Sequence, residues 1–143
     1  SRLIVSARHK ARKRALDILF ESAIRGSELA DVMAVAQAAA SEPGAHALNE
    51  YTVGLINGIA PRLAEIDDII AQFSRGWDVS RMPTVDLCIL RIGVFELLGG
   101  GEVPAEVAIS EAVELAGELS TDESPGFVNG VLAAVAQTPP TLA

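Results

Sequence analysis

Basic side chains are concentrated at the start of this chain, although the chain as a whole is acidic. Six of its 11 Lys and Arg residues, and none of its 19 acidic residues, lie among the first 14 positions. At helical spacing, Arg8 repels Arg12 and Lys10 repels Arg14. A surface that binds a polyanion explains this crowding of like charges, whereas a solvated terminus does not. The charge pattern therefore predicts a polyanionic partner, and the six bases are Arg2, Arg8, Lys10, Arg12, Lys13 and Arg14.

The other chemistry-bearing residues do not form a catalytic or metal-binding pattern. There is no Gly-Lys-Ser/Thr phosphate loop, and Gly99-Gly100-Gly101 is more typical of a helix stop. His9 and His46 are too few and too far apart in the sequence for a metal site or a Ser-His-Asp arrangement. Cys88 is the single cysteine and lies in an apolar run, as a small core residue does. The sequence therefore predicts no enzyme, no cofactor and no metal.

Apolar residues recur at helical intervals throughout the chain, and no segment alternates as a strand does. This pattern predicts an all-α fold, a compact single domain over residues 1–143 with about six to seven helices in two subdomains, at about 7–75 and about 77–137. Proline at position 61 should break or kink the third segment. The predicted helices cover residues 7–24, 29–40, 49–74, 84–98, 104–119 and 124–137.

Arg91 is unusual because it lies within the apolar helix predicted over residues 84–98. A buried charge needs a partner, because burying an unpaired ion costs roughly several kcal/mol. Glu111 has similarly apolar neighbours, so we predict an ion pair between these two residues. The alternative is that Arg91 contacts RNA directly.

The first residues lack the apolar core of a signal peptide, and no run of residues is long enough to span a bilayer. These features predict a soluble, cytoplasmic protein with no membrane partner. A short leader before Ser1 stays open, because the sequence does not begin with Met.

Three stretches resemble the family of the bacterial transcription antitermination factor NusB. The first looks like the family's Arg-rich first helix, the second like its "ILR…(Y/F)EL" helix, and the third like its last two helices. In this sequence they read ARHKAR…ALDILF from Ala7 to Phe20, DLCILRIGVFEL from Asp86 to Leu97, and VPAEVAISEAVELA from Val103 followed by ESPGFVNGVL from Glu123.

The resemblance implies an all-helical protein without catalytic activity that pairs with the ribosomal protein NusE. The pair would bind boxA RNA in nascent ribosomal RNA transcripts and join the RNA polymerase antitermination complex with other Nus factors. It places RNA contacts on the first helix and at the start of the last one. With Arg14 from the charge pattern, the candidate RNA-binding residues are Arg8, His9, Lys10, Arg12, Arg14, Glu123 and Phe127.

This chain departs from the family pattern at three places. His9 stands where relatives often have Arg, Phe20 stands where many have Tyr, and Pro125-Gly126 replaces residues that are commonly polar. His9 is mostly neutral at pH 7, which weakens it as a phosphate contact. Two other functions stay open, the RNA-binding domain of a ribosomal RNA cytosine methyltransferase and a helical adaptor without an RNA role. A homodimer also stays open.

Overall fold

Seven α-helices make up most of residues 2–143, the part of the chain that this computed structural model describes, with side chains described from Ala7 onward. No strand occurs in this part, so the predicted all-α class is confirmed. None of the helices described is both long and apolar enough to cross a membrane. The helices are α1 (Arg2–Arg25), α2 (Leu29–Ala40), α3 (Glu50–Ile59), α4 (Leu63–Phe73), α5 (Thr84–Leu98), α6 (Ala105–Leu119) and α7 (Ser124–Gln137).

The predicted boundaries hold except at the start of α1. This helix begins at Arg2 instead of residue 7, so the whole basic segment is helical. The break at Pro61 is confirmed, because a 3₁₀ turn over Ala60–Arg62 separates α3 from α4. Asn49 caps α3 by accepting a hydrogen bond of 2.7 Å from the backbone N–H of Tyr51. Because α1 is a regular helix from Arg2 onward, it fixes the directions in which the bases of this segment project.

Helix α5 lies at the centre of the fold and packs against α1, α3, α4, α6 and α7. It carries apolar residues on all sides, as a helix enclosed by others does, with three charged residues among them. Cys88 lies in its middle and is fully buried. Burial raises the pKa of the Cys88 thiol to about 11, although nearby Arg91 opposes this shift. The prediction that Cys88 is a core residue is confirmed.

Gly93 on α5 allows α7 to approach closely. A Cβ at this position would lie 2.6 Å from a methyl carbon of the fully buried Leu132. We expect Gly93→Ala to lower the free energy of unfolding by about 1–3 kcal/mol, because the packed core must shift to admit the methyl group. Gly130→Ala on α7 is the control: its Cβ would meet nothing within 4 Å, so helix propensity should make it neutral or stabilising by up to about 1 kcal/mol. Equal stability of the two variants in urea unfolding would contradict this packing account.

Arg91 does not pair with Glu111 as the sequence predicted. Its Nε and Nη2 atoms donate to the two carboxylate oxygens of Asp67, both at 2.8 Å, which joins α5 to α4. The prediction was correct that Arg91 needs an acidic partner, but the partner lies on α4. Glu111, on α6, belongs to a different cluster of charges, around Arg12 of α1.

Candidate nucleic-acid interface

Arg12 lies in the interior of the protein, so the prediction that it points outward toward phosphate is wrong. It is only 2% exposed. Its Nε and Nη2 atoms donate to the Glu96 carboxylate at 2.9–3.0 Å, and Nη1 donates to Glu111 Oε1 at 3.0 Å. Two buried carboxylates thus compensate one buried guanidinium. Burial alone would lower the pKa of Arg12, but its hydrogen bonds and charge interaction with Glu96 raise it above the usual value.

Tyr51 on α3 completes this buried cluster of Arg12, Glu96 and Glu111. Its hydroxyl donates to Glu96 Oε2. Burial and the Glu96 carboxylate raise the pKa of Tyr51, so its hydroxyl stays protonated. The Cζ atom of Arg12 lies 5.3 Å from the centre of its ring, and that of Arg8 lies 4.9 Å from it. The cluster therefore fixes α1 against α3, α5 and α6 and also positions Arg8.

His9 and Lys13 face α6 and its carboxylates. His9 Nδ1 lies 3.0 Å from Glu111 Oε2, and Nε2 lies 2.8 Å from Glu118 Oε1. Burial alone would lower the pKa of His9, but Glu111 and Glu118 raise it above its usual value. Lys13 Nζ lies 3.2 Å from the other oxygen of Glu118. Glu118 therefore neutralises two of the cationic groups on α1.

Lys10 and Arg14 are exposed, and neither forms an ion pair with a described side chain. They lie one turn apart on α1 and line a groove of about 340 Å³ between α1 and the start of α3. None of the described residues that line this groove is acidic. We call these two residues the basic face of α1; the half-buried Arg8 lies on another side of the helix, over the ring of Tyr51. This face offers two adjacent positive charges to a ligand.

The second candidate element lies at the start of α7. Phe127 is half-buried and packs against the exposed Trp77, with ring centres 5.8 Å apart and planes inclined by 57°. Glu123, also exposed, lines the same cleft of about 90 Å³. The two rings offer an aromatic edge beside a carboxylate, which is a surface that an unpaired base can contact.

A buried carboxylate holds this turn in place. Asp86 is 3% exposed and accepts hydrogen bonds from Ser120 Oγ at 2.5 Å and from Ser124 Oγ at 2.9 Å. It therefore ties the end of α6 and the start of α7 to α5. Glu118, which contacts α1, lies only two residues before Ser120. The end of α6 is therefore next to α1 on one side and next to the turn that carries Glu123 and Phe127 on the other.

The structure divides the seven candidate RNA-binding residues by their exposure. Arg8, Lys10, Arg14, Glu123 and Phe127 have accessible side chains, whereas Arg12 is enclosed. His9 is bound by two carboxylates. Sequence reasoning missed Glu96, Glu111 and Tyr51 as partners of Arg12. A signal was present for Glu96, since it is a lone acid within the apolar run from Leu87 to Leu98.

Comparison with known proteins gives matches over almost the whole chain. The model of the NusB family matches residues 9–137. Transcription antitermination protein NusB of Nocardioides sp. is 48% identical over 139 residues, which are 97% of this chain and 100% of that protein. The protein of the same name from Acidothermus cellulolyticus is 54% identical over 129 residues, 90% of this chain and 86% of that protein.

Solved structures share the fold. NusB of T. maritima superimposes with a TM-score of 0.78 at 28% identity, covering 95% of this chain and 93% of that one. A chain from the complex of antitermination factors NusB and NusE with dsRNA gives a TM-score of 0.75 at 25% identity, covering 91% and 96%. The resemblance seen in the sequence is confirmed, and the chain belongs to the NusB family.

Proposed function

We propose that this protein is a non-catalytic transcription antitermination factor of the bacterial cytoplasm. With NusE it binds boxA RNA in nascent ribosomal RNA transcripts and joins the RNA polymerase antitermination complex. The observation that carries this proposal is family membership over nearly the full chain, combined with an accessible basic face on an otherwise acidic protein. A solved complex of NusB and NusE with dsRNA supports the choice of partner.

In this proposal the basic face of α1 holds phosphates. Lys10 and Arg14 are the two cationic groups there that no described carboxylate neutralises, and Arg8 supplies a third contact from another side of the helix, beside Tyr51. Phosphate contacts position an RNA but do not select its sequence. Selection then falls to groups that meet the bases, and the aromatic cleft at the start of α7 supplies them through Phe127 and Glu123.

The test is the binding of a fluorescent single-stranded boxA RNA, measured by anisotropy across a salt series, with and without purified NusE. We expect NusE to tighten binding, and three phosphate contacts to give a slope of about −2 for log K against log salt. A scrambled RNA of equal length is the control. Equal affinity for both RNAs in the presence of NusE, or no dependence on salt, would contradict the proposal and favour an adaptor without an RNA role.

The ion pairs of Glu118 lead to a further prediction. Glu118→Gln should free Lys13, so a phosphate can take the place of the carboxylate, while Glu111 still holds His9. We expect RNA affinity to rise about threefold and the salt slope to steepen by about 0.7, which is the contribution of one added contact. Glu106→Gln is the matched control, since Glu106 is exposed on the same helix and has no described ion pair. If both variants bind RNA equally, Glu118 does not restrain the cations of α1.

A further inference from the structure

An imidazole and two carboxylates from distant parts of the chain converge where α1 crosses α6. His9 Nε2 lies 2.8 Å from Glu118 Oε1 and 4.0 Å from Glu114 Oε1. One donor atom from each of these three residues lies within 4.8 Å of the others. Glu114 and Glu118 are one turn apart on α6, so they point from the same helix face toward His9.

A buried carboxylate binds Nδ1 of His9, the ring nitrogen that does not face Glu114 and Glu118. This Nδ1 lies 3.0 Å from Glu111 Oε2, and the Glu111 side chain is only 7% exposed. Glu111 is in turn fixed by Arg12, which donates to its other oxygen at 3.0 Å. A carboxylate that binds one ring nitrogen fixes the orientation of the ring, as it does for metal-bound histidines, and the other nitrogen becomes a ligand once its proton is displaced. Nε2 is the nitrogen that faces Glu114 and Glu118.

We propose that His9 Nε2, Glu114 and Glu118 bind a divalent transition-metal ion, with Zn²⁺ as the preferred occupant. One nitrogen and two carboxylate oxygens suit zinc, whereas Mg²⁺ and Ca²⁺ favour oxygen donors alone. Zinc bonds of about 2.0–2.2 Å place neighbouring ligands about 3.3 Å apart in a tetrahedron. Measured from His9 Nε2, the Glu118 oxygen must therefore move outward and the Glu114 oxygen inward, each by less than about 1 Å. Water takes the fourth position.

In the proposed site, Zn²⁺ replaces the positive charges of His9 and Lys13 as the partners of the Glu114 and Glu118 carboxylates. Zn²⁺ binding displaces the proton on His9 Nε2 and the Lys13 ammonium, which lies 3.2 Å from Glu118 Oε2. It would join α1 to α6 through metal bonds in place of an exposed ion pair and release Lys13 toward solvent. Sequence spacing gives no sign of this site, because His9 lies more than a hundred residues before Glu114 and Glu118.

The test is calorimetric titration of Zn²⁺ into the metal-stripped full chain, without RNA or NusE. We expect one equivalent to bind, and affinity to fall at least about 10-fold in both His9→Ala and Glu114→Gln. Glu114 is 60% exposed, so its substitution should leave the fold intact even if His9→Ala does not. His46→Ala and Glu106→Gln are the controls and should bind Zn²⁺ as the unmodified chain does.

Three results would overturn the site. They are the absence of saturable binding, unchanged affinity in Glu114→Gln, and an equal loss in His46→Ala. None of these bears on RNA binding, so failure here leaves the antitermination proposal untouched. Circular dichroism of each variant checks that helix content is retained, and Mg²⁺ in place of Zn²⁺ should give no heat at the same concentrations.

Discussion

Arg12→Ala is expected to lower the free energy of unfolding by about 3–5 kcal/mol, the range found when one partner of a buried ion pair is removed. The loss is large because Glu96 and Glu111 are themselves buried, with side chains only 2% and 7% exposed. Without the guanidinium, two carboxylates face each other and Tyr51 in the interior. Urea unfolding followed by circular dichroism measures the change.

Arg14→Ala is the matched control for this variant. Arg14 lies on the same helix two residues later and is exposed, so its loss should change stability by no more than about 0.5 kcal/mol. If Arg12→Ala unfolds within about 1 kcal/mol of the unmodified chain, the buried cluster is not what holds α1 in place.

The double variant Lys10→Ala/Arg14→Ala is expected to weaken RNA binding about 10–30-fold at 0.1 M salt, with unchanged stability. Each phosphate contact contributes about 0.7 to the salt slope on a single strand, so the slope should become shallower by about 1.4. Anisotropy titrations with labelled boxA RNA and NusE across a salt series measure both quantities.

Arg25→Ala/Arg81→Ala is the control for charge alone. Both residues are exposed, and the substitutions change the net charge by the same amount. We expect an affinity loss below about threefold, because these bases do not lie on the basic face of α1 and act only through screened long-range attraction. An equal loss in the two double variants would mean that overall charge, and not this face, determines RNA binding.

The sequence predicted the helices well because the apolar periodicity and the residues that typically begin or end helices indicate the same boundaries. Pro61 and Asn49 mark boundaries that the structure has at the same places, and the run from Leu87 to Leu98 is as buried as its composition indicates. The start of α1 was placed five residues too late. Its first residues are not amphipathic, and periodicity cannot detect a helix there.

The candidate site was harder to predict because charge pattern does not show which side of a helix is buried. Arg12 and Arg14 look equivalent in the sequence, yet one is enclosed by two carboxylates and the other is exposed. The partners of Arg12 lie 84 and 99 residues away. The Arg91 pairing failed for the same reason, since several isolated acids were available and only the packing of α4 against α5 selects Asp67.

The long sequence separation within the Arg12 cluster also sets an order for folding during synthesis. Helix α1 leaves the ribosome before α5 and α6, which carry the Glu96 and Glu111 carboxylates that its buried guanidinium requires. Until α6 has emerged, Arg12 keeps its water shell and the first helix cannot take its final place. Nascent chains that end before residue 111 should therefore expose α1 to protease, and protection should appear in a single late step.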